Sequence, residues 1–302
     1  MLHVVFCLLP AVVVSGANAA DPFPRVQAVP LPYRQVALEI EGTEVARYHY
    51  GPDVPKPYVF PLIGPAGRRV TRLTHPHDPV GHGHHLSVWV GHQNVNGTNF
   101  WELNPKVRIV HQRIEEYTDG PTRASVSASN LWHDAAGNPV LNERRTTALV
   151  ALDNNERYLD TTLEITPASE KVVFGKTSFG LFAVRVAKTM SVNDGGGTLR
   201  NADGAVGEKA MFWKHARWVD YTGHVTGTEE NGIAFFDHPD NPNFPTGWHV
   251  RGDGWMGASF TLDGPFELLK GETRVLRYRL YVHDGKATPE RIEEHWKRFA
   301  EE

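Results

Sequence analysis

The 302-residue chain has one cysteine, Cys7, and it lies in the first apolar run, residues 4–14. Ala17-Asn18-Ala19 follows as a small-x-small cleavage pattern, so residues 1–19 are expected to be a signal peptide that leaves before Ala20. The remaining chain then has no thiol. Disulfides, thiolate metal ligands and a cysteine nucleophile are excluded for it. A basic excess is also missing: 31 Lys and Arg against 35 Asp and Glu give a formal charge of −4. Such a chain offers no electrostatic footprint for nucleic acid. Long hydrophobic runs are scarce too. The first run is about half the ~20 residues that cross a bilayer, and no later stretch approaches it. The mature chain, residues 20–302, is expected to be periplasmic or secreted, without a membrane span.

Long helical patterns are few, and period-2 alternation is frequent. Residues 36–40, 44–50, 107–115, 123–132, 143–152, 158–166, 181–190 and 274–282 read as strands, punctuated by Gly, Asn, Asp and Pro. Strands at this spacing imply an all-β fold, a large antiparallel two-sheet sandwich in one domain. One helix is expected at the end. Thr288 can cap it, Pro289 suits its first position, and Ile292, Trp296 and Phe299 recur at helical spacing. There is no internal repeat and no linker.

Histidine is unusually frequent for its type. Of 16 in the chain, six fall in residues 75–92: His75, His77, His82, His84, His85 and His92. His-x-His pairs at 75/77 and 82/84 can present two imidazoles on one strand face, and imidazole suits zinc, copper or iron. A divalent metal held by His75, His77 and His82 is therefore one expectation. Pro76, Pro79, Gly81 and Gly83 mark the segment as a loop, and no HExxH spacing is present. A strand from Leu86 to His92 follows, then an amide-rich turn with Asn94, then Trp101 and Glu102. Amides, aromatic faces and carboxylates are what a sugar site uses. Trp89 is expected in the core.

A second cluster lies at residues 211–251. It carries Lys214, His215, Asp237, His249 and Arg251 among tryptophans. On an alternating strand, His249 and Arg251 share one face and Trp248 and Val250 the other. Asp237 and Asp240 also fit turn capping in an Asp/Asn-Pro loop.

The blocks HGHHLSVWVGHQNVNGTNFW, GKTSFGLFAVRVAKTM, NADGAVGEKAMFWKHARWVDYTG and GIAFFDHPDNPNFPTGWHVR occur in this order between residues 82 and 251. They resemble the PmoA-like family, whose label is "methane oxygenase PmoA". Particulate methane oxidation is associated with integral membrane proteins, so the label implies an oxygenase that this chain's lack of a span does not match. The all-β chain with a His/Trp/Asn-rich face is also similar in architecture to galactose-mutarotase-like supersandwich proteins.

Three functions follow. In a carbohydrate-active enzyme, His84, His85 or His92 would be the acid/base group and His215, Asp237 or His249 its complement. Asn94, Trp101, Glu102, Lys214 and Arg251 would hold a small-molecule or glycan substrate. A metal-dependent oxidoreductase would use the histidines of 75–92. A non-catalytic sugar-binding module would need only the aromatic platforms.

Overall fold

The computed structural model describes residues 23–74 and 82–302. The expected signal segment with Cys7, and His75 and His77, lie outside the described residues. Two large sheets and one ribbon make up the chain, and every strand pairing is antiparallel. The first sheet has nine strands in spatial order Val26–Leu31, Gln35–Ile40, Thr43–His49, Tyr58–Leu62, Val88–Val90, Phe182–Arg185, Trp255–Ser259, Gly247–Arg251 and Lys214–His215. The second has eight: Thr198–Asn201, Trp218–His224, Glu230–Asp237, Arg274–Asp284, Arg157–Pro167, Pro139–Ala151, Arg123–His133 and Arg108–Thr118. Lys171–Phe174 and Phe266–Leu269 form the ribbon.

The sandwich follows from the alternation. Phe182, Val184, Trp248, Val250, Met256 and Ala258 of the first sheet are buried in the same core as Phe235, Tyr278 and Leu280 of the second. Phe235 is the junction. Phe182 meets it edge-on at 5.3 Å, and Trp248 does so at 4.8 Å. Such edge-to-face pairs add to the area they bury.

The helix Pro289–Ala300 is where the capping signals place it, and the Thr288 hydroxyl accepts from the Arg291 N–H at 3.2 Å. Its Ile292 and Phe299 cover Tyr158, Trp218, Phe236 and Tyr281 on the outer face of the eight-stranded sheet. One expected strand is shorter than its pattern. Residues 181–190 form the strand Phe182–Arg185 and then a 3₁₀ turn, Lys188–Met190. Beyond Arg185 the backbone is claimed by loops instead, with the Val186 N–H on the Gly254 carbonyl and the Ala187 N–H on the Val70 carbonyl. The 86–92 segment shortens likewise to Val88–Val90, since Ser87 adopts a left-handed φ of 66°.

Because Phe235 is fully buried between both sheets, Phe235→Ala is expected to lower unfolding stability by about 3–5 kcal/mol, seen as a lower urea midpoint at unchanged slope.

Candidate functional site

The central strands of the nine-stranded sheet have two faces, and the one turned away from the core carries the site. Cross-strand register lines up His249, Gly257, Ala183 and Trp89 in one row, and Arg251, Trp255 and Arg185 in the next. The small members of the first row leave room. A Cβ on Gly257 would come within 2.7 Å of the Trp255 ring, so the indole lies directly against that glycine. Above these rows is a cavity of about 500 Å³, lined among others by His82, His84, His85, Glu102, His249 and Arg251. It falls in the size range of small-molecule sites.

Trp255 is the shared wall. Its ring lies 4.3 Å from His249, 5.3 Å from His85 and 6.3 Å from Phe179, stacking on the last. Phe179 in turn meets His249 at 4.8 Å. Each imidazole is therefore enclosed by aromatic carbon. His249 Nδ1 donates to the Ser178 carbonyl at 3.2 Å, and its buried Nε2 has no hydrogen-bond partner. That bond assigns the proton to Nδ1 and the lone pair to Nε2. Burial pushes the His249 pKa down to about 4, with nearby Arg251 acting in the same direction.

His84 and His85 come from the loop that enters Val88–Val90. The loop is tightened by the His85 N–H on the His82 carbonyl and by the Thr74 hydroxyl on the same carbonyl. His85 lies flat between Trp89 at 5.0 Å and His82 at 4.9 Å, and meets His84 edge-on at 4.3 Å. Burial, then the neighbouring His84, holds His85 far below the usual imidazole range. His84 Nδ1 lies 3.2 Å from Glu102 Oε2, a carboxylate–imidazole contact. Burial, together with the nearby Lys56, His82 and Arg185, lowers His84 to about 4. The half-exposed Glu102 carboxylate does not offset this.

Glu102 is placed by its own segment. The Asn99 side chain accepts from the Trp101 and Glu102 N–H groups at 2.9 and 3.1 Å. From behind, the buried Lys56 ammonium donates to the Phe100 and Trp101 carbonyls at 2.6 and 2.8 Å. Burial lowers Lys56 to about 7, opposed by the attraction of Glu102.

The remaining charges of the cavity are matched in pairs. Arg251 Nε lies 3.0 Å from Glu208, whose other oxygen accepts from the Gly252 N–H at 2.6 Å. Arg185 makes two hydrogen bonds to Asp253, at 3.1 and 3.2 Å. Asn193 completes the rim, its N–H on the Gly252 carbonyl at 2.9 Å.

The structure thus brings His82, His84, His85, Glu102, His249 and Arg251 to one cavity, and it places elsewhere the other expected site residues that are described. Trp101 is buried beneath His84 and His85, 6.2 Å from each ring, as floor and not as contact surface. Trp89 is buried, as expected. His92 is sealed away, with Nε2 on the Thr261 hydroxyl at 2.8 Å and Nδ1 accepting from the Asn94 N–H at 3.1 Å. Asn94 caps its own turn through the Gly97 N–H. Asp237 is fully buried, accepting from the Thr246 N–H and the Asn241 side chain, which is the turn-capping alternative. Burial raises it to about 7. Lys214 and His215 are exposed on the edge strand, and the His215 ring bridges the Pro245 carbonyl and Asp263.

Trp255, Phe179, Glu208, Asp253 and Asn193 were not foreseen. The one available signal was Trp255 two residues before Gly257 on an alternating strand. Of the expected metal ligands only His82 is described, and its ring is stacked parallel to His85 at 11°. Among the described residues, no three His, Cys, Asp or Glu side chains are grouped to hold a metal ion. Among those residues, too, no helix is long and apolar enough to cross a membrane.

No curated protein matches the chain. Among solved structures, it is similar to a galactose 1-epimerase from Lactobacillus acidophilus, at 10% identity and a TM-score of 0.45, over 83% of this chain and 95% of that one. It is also similar to an aldose epimerase homologue from C. elegans, at 8% identity and a TM-score of 0.36, over 86% and 99% of the two chains. The family model that matches spans residues 35–297 and is described as a family of unknown function, which lends no support to the oxygenase named in the PmoA-like label. With nearly the whole described chain inside that match, the protein belongs to the DUF6807 family.

Proposed function

We propose that the chain is an exported carbohydrate-active enzyme in which His84 and His249 transfer protons to and from a sugar held against Trp255. The observation that carries this reading is the pair of desolvated imidazoles on one cavity. His249 has Nδ1 tied to the Ser178 carbonyl, so that its Nε2 keeps its lone pair at neutral pH, and His84 Nδ1 lies 3.2 Å from the Glu102 carboxylate. An imidazole held this way can accept a proton from a hydroxyl, or from a carbon beside a carbonyl, and return it. Trp255 and Phe179 offer flat faces to ring C–H groups. Arg251, Glu208 and Asn193 offer donors and acceptors to hydroxyls.

Glycoside hydrolysis by a carboxylate pair is less well supported. Such a pair must stand free on both sides of the scissile bond. Here Glu208 is taken up by Arg251 and the Gly252 N–H, Asp253 by Arg185, and Glu102 faces His84. The arrangement favours epimerisation, isomerisation or elimination.

The test is a screen of free sugars and glycosides followed by mass spectrometry and proton exchange from D₂O, with and without added zinc, copper or iron. Without metal, the product is expected either to keep the substrate's composition apart from solvent deuterium (epimerisation or isomerisation) or to appear as the unsaturated fragment of an elimination. Turnover only with added metal, abolished in His82→Ala, would replace this reading with the metal-dependent oxidoreductase. Binding without turnover would leave a sugar-binding module.

His84→Ala and His249→Ala are each expected to lower kcat/KM by roughly 10²- to 10⁴-fold with unchanged circular dichroism. Activity intact in both variants would refute the assignment. The pH profile has a definite sign. Both imidazoles are held near 4, must be neutral to accept a proton, and are protonated below that value. The acid limb of kcat/KM is therefore expected near pH 4, not near the 6.5 of a free histidine. A limb at 6 to 7 would contradict it.

A further inference from the structure

A second cleft, of about 600 Å³, adjoins the cavity on the far side of His249. It is lined by Lys176, Thr177, Ser178, Trp213, Leu262 and Asp263. The two spaces share a wall. Ser178 lines the outer cleft and Phe179, the next residue, the inner one. His249 is held by the Ser178 carbonyl and touches Phe179 at 4.8 Å, Phe212 at 4.8 Å and Trp213 at 6.3 Å.

Trp213 is the unusual residue. Its side chain is a large aromatic surface with 51% exposure, while Trp89, Trp101, Trp132, Trp218 and Trp248 are fully buried. It also has a φ of 58°, a left-handed conformation that a bulky side chain adopts at a cost. The backbone is fixed there by the Trp213 N–H on the Trp248 carbonyl at 2.9 Å. The ring is backed by Phe212, stacked at 4.7 Å and 25°. Phe212 is itself covered by the Arg251 guanidinium at 5.7 Å, and Arg251 lines the inner cavity. Arg251, Phe212 and Trp213 thus make one continuous ridge from the inner cavity to the outer cleft. At its outer end an indole is presented to solvent beside hydroxyl, ammonium and carboxylate groups.

An exposed indole in a largely apolar cleft with Lys176, Thr177, Ser178 and Asp263 along it matches the needs of a sugar ring, whose C–H face stacks while its hydroxyls bond at the rim. We infer that Trp213 is the platform of a second sugar subsite, so that the substrate is a disaccharide or longer glycan with one ring at His84 and His249 and the next on Trp213. This inference rests on the carbohydrate reading above. It adds the length of the substrate and the residue that recognises it.

The test compares mono- and disaccharides of glucose, galactose, mannose and xylose, by calorimetric binding and by turnover. Trp213→Gly removes the ring and suits the left-handed backbone, and Trp213→Phe keeps a smaller face. For disaccharides, Trp213→Gly is expected to raise Kd and KM roughly tenfold with kcat little changed, Trp213→Phe less. For monosaccharides both variants should change Kd and KM several-fold less than for disaccharides. If wild type binds and turns over monosaccharides as well as disaccharides, or if Trp213→Gly leaves disaccharide KM unchanged, the outer subsite is overturned while the enzyme reading stands. If no sugar of either length binds or turns over, both readings fall.

Discussion

A strand buried on one face in a sandwich core has only every second residue left with which to build anything else. Three adjacent strands of the nine-stranded sheet, Phe182–Arg185, Trp255–Ser259 and Gly247–Arg251, live under that constraint. Phe182, Val184, Trp248, Val250, Met256 and Ala258 are committed to the inter-sheet core. Their neighbours Ala183, Arg185, His249, Arg251, Trp255 and Gly257 must face the other way. A shift of one residue in register would exchange the two sets, placing His249 and Arg251 in the core and Trp248 and Val250 in the cavity. Packing of the core and placement of the site are thus one requirement, enforced by the same hydrogen-bond ladders.

The same constraint explains the chemistry. Aromatic residues on the outer face cover the imidazoles, and desolvation holds them uncharged. His249 and His84 are then tuned less by any single partner than by the absence of water around them. At His249 the Ser178 carbonyl does the finer work of choosing which nitrogen keeps its lone pair.

How much of this was legible depends on the distance over which each interaction acts. Period-2 alternation is local, so the strands, the opposite faces of His249 and Trp248, and the capped C-terminal helix could all be read directly. The density of histidines at 82–85 was also local, and it does mark the cavity. Glu208, Asp253 and Asn193 reach the site only because loops far apart in the chain meet at Gly252, and no spacing announces that. His92 shows the reverse. Its partner Thr261 is 169 residues away, and this contact turns an apparent catalytic histidine into a core one. Asp237 likewise serves a turn, through Thr246 and Asn241.

The matched charges of the cavity have an electrical consequence. Arg185 stands against Asp253 and Arg251 against Glu208, while the His84 and His249 imidazoles carry no charge at neutral pH. These pairs therefore give strong local dipoles and almost no monopole. A field of that kind dies away within a few ångströms and does not steer ions from a distance. It holds no attraction for a Debye atmosphere to screen, so an uncharged ligand would enter equally well in dilute and in saline surroundings.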